Sequence, residues 1–167
     1  MPSDAGLYFW SNDGELFLFI SGRITATEAY SMYRHVEEWT HQHPRSSVFI
    51  DLDSTTYVDS TTIGTLIRLH KQQRADGGSL CLCNPSEAVA NVIHKTKLTS
   101  YFTIIEDDML HSIEKNYLET MPRHRGSDVD SSFVLDAHND ICQVRPELTS
   151  EFQGLISALK QHGSSNS

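Results

Sequence analysis

The sequence contains no apolar run approaching the roughly 18 residues that a membrane-spanning helix needs. Its opening residues, MPSDAGLYFW, lack the basic-then-apolar layout of a secretory signal. The chain is therefore expected in the cytoplasm, with no membrane attachment. Basic residues are scarce: 13 Lys and Arg stand against 22 Asp and Glu, a net charge of −9. No broad basic surface can form, which argues against nucleic acid as a partner. Cysteines number three, an odd count, and Cys81 and Cys83 alternate within an apolar segment. Such a set makes no disulfide framework, and it lacks the two further ligands a metal site would need nearby, so these residues read as buried thiols. A glycine-rich phosphate loop is also missing, because Asp76-Gly77-Gly78 is not followed by the lysine and hydroxyl of such loops.

What the sequence does contain is an alternation of two periods. LYFW and ELFLFIS flank Asn12-Asp13-Gly14, a strong turn signal, and predict a two-stranded hairpin. Thr25 and Glu28 then have capping-box spacing, and Ala29, Met32, Tyr33, Val36 and Trp39 recur on one helical face. After Pro44, SSVFIDLD is the short branched run of a strand buried on both faces. Ile63, Leu66 and Ile67 line the next helix, with Arg68, Lys71, Gln72 and Arg74 facing outward and Asp76-Gly77-Gly78 stopping it. SLCLCN is another strand. Asn84 is expected to cap a further helix, with Pro85 at its first position and a buried face of Val89, Val92 and Ile93. YFTIIED returns as a strand, and DDMLHSIEKNYLE is expected to close the unit as a helix.

Strands alternating with helices predict an α/β fold, a mixed sheet of about five strands with about four helices in which the initial hairpin supplies an antiparallel edge strand. This unit is expected to occupy residues 1–120. Residues 121–131, MPRHRGSDVDS, are polar and aperiodic, hence a linker. Residues 132–162 form a helical extension: Val134, Ala137, His138 and Ile141 mark one apolar face, and Leu148, Phe152, Leu155, Ile156 and Leu159 mark a second after Pro146. Residues 163–167 are expected to fray.

The junction YVDSTTIG, from Tyr57 to Gly64, concentrates hydrogen-bonding groups where strand passes into helix. Asp59 or Ser60 can serve as an N-cap, and a serine there lies beside free backbone N–H groups and the positive end of the helix dipole. Such a position accommodates a phosphate, and capping leaves the residue at the surface. Other constellations are weaker. Asp51 and Asp53 share a face of a strand end, where carboxylates serve solvation. His35, His41 and His43 lie at a helix C-terminus and form no closed ligand set. No metal site and no catalytic residues are expected.

Over about its first 118 residues in element order, and most densely from Ser47 to Ile105, the chain resembles the core of a STAS domain, the family of bacterial anti-sigma-factor antagonists. The resemblance rests on the apolar strand ending in Asp51, the Asp59-Ser60 pair before a helix, Gly64 within it, Gly77-Gly78 before SLCLCNP, and the LTSYFTI ending. It implies a partner switch. Family members bind an anti-sigma factor that is also a serine/threonine kinase; the kinase phosphorylates the serine after the motif aspartate, here Ser60, and a serine phosphatase restores it. Thr61 is the alternative acceptor. The implied partner-binding residues are Asp59, Ser60, Thr61, Thr62, Ile63 and Gly64. The ATP belongs to the kinase, so no cofactor and no enzymatic activity are expected of this chain. One departure stands out: Thr62 occupies a position where the family commonly has glycine, and a side chain there can obstruct a partner's backbone. The alternative function is a STAS scaffold or ligand-sensing module in which Ser60 is never modified.

Residues 132–160 are too few to bury two apolar stripes alone. They must pack on the preceding domain, on another copy of the chain as a homodimer, or on a partner. Asp136 and Asp140 suggest docking beside the Ser60 helix, where the extension would compete with or extend the partner surface.

Overall fold

The computed structural model describes residues 5–107, 110, 113 and 115–150. Its centre is a six-stranded mixed sheet in the order β5-β4-β3-β2-β1-β6. Strands β1 (Gly6–Asn12) and β2 (Glu15–Ile24) form the expected hairpin, in register from Gly6 opposite Ser21 to Asn12 opposite Glu15. Its two-residue turn holds Asp13 at φ 43° and Gly14 at φ 82°, both in the left-handed region that the twist of a tight hairpin requires. Strands β3 (Ser47–Val58), β4 (Ser79–Cys83) and β5 (Thr103–Ile105) extend the sheet in parallel from β2.

Alternation along these strands sorts the residues into two faces. Leu16 pairs with Val48 and Leu18 with Ile50, and these in turn meet Leu80 and Leu82, so one face is a continuous aliphatic layer. All six are buried under the helices. The opposite face carries Phe17, Phe49 and Cys81 in one cross-strand row, with the two phenyl rings stacked at 4.9 Å, and it is only half-buried. β3 is thus fully buried on one face alone, contrary to its sequence pattern.

Helix α1 (Ala26–Gln42) starts as expected, the Glu28 carboxylate accepting from the Thr25 backbone N–H at 3.0 Å and from its hydroxyl at 2.8 Å. Helix α2 (Ser60–Ala75) follows β3, and helix α3 (Glu87–Lys95) follows β4. The start of α3 differs from the sequence reading. Ser86, not Asn84, is its N-cap, accepting from the Val89 N–H. Asn84 instead adopts φ 51° and ties two loops together, donating to the Asp51 carboxylate and accepting from the Asp107 N–H. Those tertiary contacts override the local capping preference.

The edge assignment also changes. A short strand, β6 (Glu119–Thr120), pairs antiparallel with β1, so β1 lies inside the sheet. The closing helix expected over DDMLHSIEKNYLE is not what its described residues form: five of the thirteen lie outside the described residues, and the segment ends in a 3₁₀ turn at Lys115–Tyr117 that leads into β6, paired with Tyr8 and Phe9. Residues 121–130 run back across α1. The Met121 N–H bonds the Leu7 carbonyl, the Arg123 guanidinium donates to the Ala5 carbonyl, and the His124 N–H donates to the Ser31 hydroxyl. This path delivers helix α4 (Ser131–Val144) to the outer side of α2. The second apolar stripe, from Phe152 to Leu159, lies outside the described residues.

Candidate functional site

Helix α2 is buried at every residue from Thr61 to Ile67. Seven consecutive buried positions cover all sides of a helix, so α2 must be enclosed from two directions. Ile63, Leu66 and Ile67 belong to the apolar core that includes the sheet's aliphatic layer. The other stripe, Ser60, Gly64, Arg68 and Lys71, follows helical spacing and faces α4.

The helix begins where the sequence places it. Asp59 is the N-cap, its Oδ1 accepting from the Thr62 N–H at 2.8 Å. The same oxygen accepts from the Thr62 hydroxyl at 2.7 Å, and that hydroxyl is also 3.2 Å from the Ile24 carbonyl. Thr62 is therefore turned inward, 2% exposed, and knots the start of α2 to the end of β2. Its side chain does not stand out from the surface in this conformation. Thr61, expected as an alternative acceptor, is 4% exposed in this conformation. Ile63 lies in the core.

Ser60 is half-buried, and its hydroxyl points away from the sheet to α4, where it meets His138 Nε2 at 2.7 Å. The other ring nitrogen, Nδ1, lies 2.7 Å from the Val134 carbonyl. A carbonyl can only accept, so Nδ1 carries the proton; in the neutral ring Nε2 accepts from the Ser60 hydroxyl. The two helices touch most closely one turn on. A Cβ built on Gly64 would come within 2.1 Å of the Ala137 carbonyl oxygen, so only glycine permits this approach. Further along, Arg68 lies 3.4 Å from Asp136 and 3.6 Å from Asp140, and Lys71 Nζ lies 3.2 Å from Asp140. The outward basic residues of α2 thus face the acidic side of α4. α4 itself is capped by Asp130, whose carboxylate accepts from the Ser132 hydroxyl and the Phe133 N–H; these bonds hold its pKa below the ordinary carboxylate value. Phe133 packs edge-on to Tyr30 and against Tyr33 of α1.

Spacing puts His138 on the apolar stripe of α4 but assigns it no partner. Spacing within α4 reveals which face is inward, not which residue of α2 it meets. Tyr57, 40% exposed at the end of β3, carries the Arg23 guanidinium 3.8 Å over its ring, beside the junction, a pairing that no local spacing signals. Among the described residues no group of three or more His, Cys, Asp or Glu is arranged to hold a metal ion, and no helix is long and apolar enough to cross a membrane.

The mixed sheet and the order of its strands and helices define the class of domain. The STAS domain model matches residues 11–108, and the chain belongs to the STAS domain family. The fold is shared with solved anti-sigma factor antagonists. The unphosphorylated form of the antagonist SpoIIAA matches with a TM-score of 0.55 at 14% identity, over 65% of this chain and 99% of that one. The phosphorylated form of SpoIIAA, a Bacillus cell fate determinant, matches with a TM-score of 0.54 at 13% identity, over 64% and 96%. An antagonist from Mycobacterium paratuberculosis matches with a TM-score of 0.55 at 20% identity, over 68% and 97%. At such identities the likeness is one of fold.

Proposed function

We propose that this chain is an anti-sigma-factor antagonist, that it binds an anti-sigma factor serine/threonine kinase through the start of α2, and that phosphorylation at Ser60 ends the binding. One observation carries the reading: Ser60 opens α2 with its hydroxyl turned away from the sheet. Residues 1–120 hold this surface, and residues from 132 onward modulate it. Asp59, Ser60, Thr61 and Gly64 form the contact, while Thr62 and Ile63 support it from beneath. The likeness to SpoIIAA, solved in both unphosphorylated and phosphorylated forms, supports the same reading.

The mechanism is one of charge. A phosphate adds about −1.5 to −2 units at a residue adjoining Asp59, in a surface that docks when uncharged. Burying that anion without a compensating cation costs several kcal/mol, and each 1.4 or so is tenfold in affinity. The α2 N-terminus stabilises the phosphate locally, so the fold persists while the complex does not. A serine phosphatase then resets the switch. The test is incubation of the chain with an anti-sigma factor kinase of the same genome and Mg-ATP, followed by mapping of phosphopeptides. Phosphate on Ser60, lost in Ser60→Ala, is the expected result; an unmodified Ser60 would remove the reading.

A second reading, a ligand-sensing module, has one observation in its favour. A cleft of about 560 Å³, lined by Tyr8, Phe19, Asp51, Asp53, Leu110 and Ile113, lies on the opposite side of the sheet from α2.

A further inference from the structure

The surface that a partner and a kinase would need is occupied by this chain's own helix. α4 places Ala137 against Gly64 so closely that no other backbone can share the position, and His138 takes the Ser60 hydroxyl as its hydrogen-bond partner. The contact is built for strength in three ways. Ala137 and Ile141 are buried, and Phe133 is buried against Tyr30 and Tyr33 of α1. Arg68 and Lys71 meet Asp136 and Asp140 across it. The far end is tied by the Arg145 guanidinium, which donates to the Lys97 carbonyl at 2.7 Å. The segment before α4 is pinned to α1, so the helix is held beside its binding face and competes as an intramolecular ligand.

We infer that α4 is an autoinhibitory lid on the Ser60 face, and that the hydroxyl of Ser60 becomes available to another protein only when α4 lifts from α2. The inference rests on the partner surface proposed above, but the gating itself is a property of this chain alone. It adds a control absent from a simple phosphorylation switch: an event that releases α4 decides when the chain can be bound or modified. Opening separates the Ser60–Gly64 end of α2 from its cover and exposes Phe133 and Ile141, which belong to the apolar core.

The test uses the full chain with Ser60→Cys as a reporter, alone and combined with Gly64→Ala. Alanine favours the helix, so Gly64→Ala leaves α2 intact while forcing Ala137 away. Asp140→Lys, which sets like charges beside Arg68 and Lys71, opens the same contact by other means. Hydrogen exchange reports whether α4 amides lose protection while sheet amides keep it. Alkylation by iodoacetamide at pH 8.5 is followed at residue 60 by peptide mapping, which separates it from Cys81, Cys83 and Cys142. Labelling about tenfold or more faster in the opened variants is expected, because modification tracks the open population. Equal labelling with α4 demonstrably released would overturn the inference, as would full α4 protection in both variants. Should Gly64→Ala also unfold the sheet, Asp140→Lys decides the matter. A chain whose opening exposes residue 60 but whose Ser60 no kinase modifies would keep the lid and lose the phosphorylation reading.

Discussion

Ser60 and His138, 78 residues apart in sequence, share a 2.7 Å hydrogen bond that joins the start of α2 to the middle of α4. No phosphate fits between two atoms so placed. Phosphorylation at Ser60 is therefore expected to expel His138 and release α4. Hydrogen exchange on the phosphorylated chain should show loss of protection across Ser131–Val144 with the sheet unchanged. Retained protection would mean that α4 accommodates the phosphate in place.

Thr62 is predicted to be structural. Thr62→Gly deletes the hydroxyl bonds to Asp59 and Ile24 and places glycine inside a helix. A loss of roughly 1–3 kcal/mol in urea denaturation is expected. A variant as stable as the parent would show that the inward knot contributes nothing.

The cap of α4 can be tested apart from its contacts. Asp130→Ala removes the acceptor for the Phe133 N–H and should weaken the helix by about 1 kcal/mol. α4 amides would then exchange faster than those of α2. Identical exchange would indicate that tertiary packing alone sets the helix.

Stability should fall in mild acid. His70 is 4% exposed, and burial pushes its pKa below the ordinary value of 6.5, aided by the nearby Arg74. Burial lowers His35 similarly, against the raising influence of Glu38 and Glu119. The folded chain resists protonation at these rings while the unfolded chain accepts it. Stability is thus fully present above about pH 6.5 and declines as pH falls from there through the lowered folded values, by up to about 1.4 kcal/mol per pH unit for each histidine. Urea midpoints at pH 7.5 and 5.5 measure this, and His70→Gln should flatten the slope. An unchanged slope would place the effect elsewhere.

The three thiols should differ in reactivity. Burial pushes Cys83 up to about 12 and raises Cys81 as well. Cys142 on α4 is only half-buried. Alkylation at neutral pH should reach Cys142 first and Cys83 last, since the thiolate is the reactive form. Rapid labelling of Cys83 would contradict the packing of β4.

The elements legible in the sequence are those specified locally. Asn12-Asp13-Gly14 declares its hairpin, and Thr25 with Glu28 declares the start of α1, because turns and caps are made by near neighbours. Asp59 and Ser60 declare the start of α2 for the same reason. What escaped was settled by distant partners. β6 is two residues long and exists because Tyr8 and Phe9 offer it an edge. Asn84 forsakes a cap for Asp51 and Asp107, residues brought near only by the folded sheet. Beyond Asp53, β3 continues through polar Ser54, Thr55 and Thr56, held partly by the Thr55 hydroxyl on the Ile20 carbonyl. Arg68 and Lys71 read as outward residues of α2 and are so, but the space they face is filled by α4.

A single phosphate on Ser60 is expected to decide whether this chain holds its partner. Calorimetric titration of an anti-sigma factor kinase with the chain, unmodified and then stoichiometrically phosphorylated at Ser60, measures it directly. Affinity weaker by about tenfold or more after phosphorylation is the expected result. Equal affinity for the two forms would contradict the account.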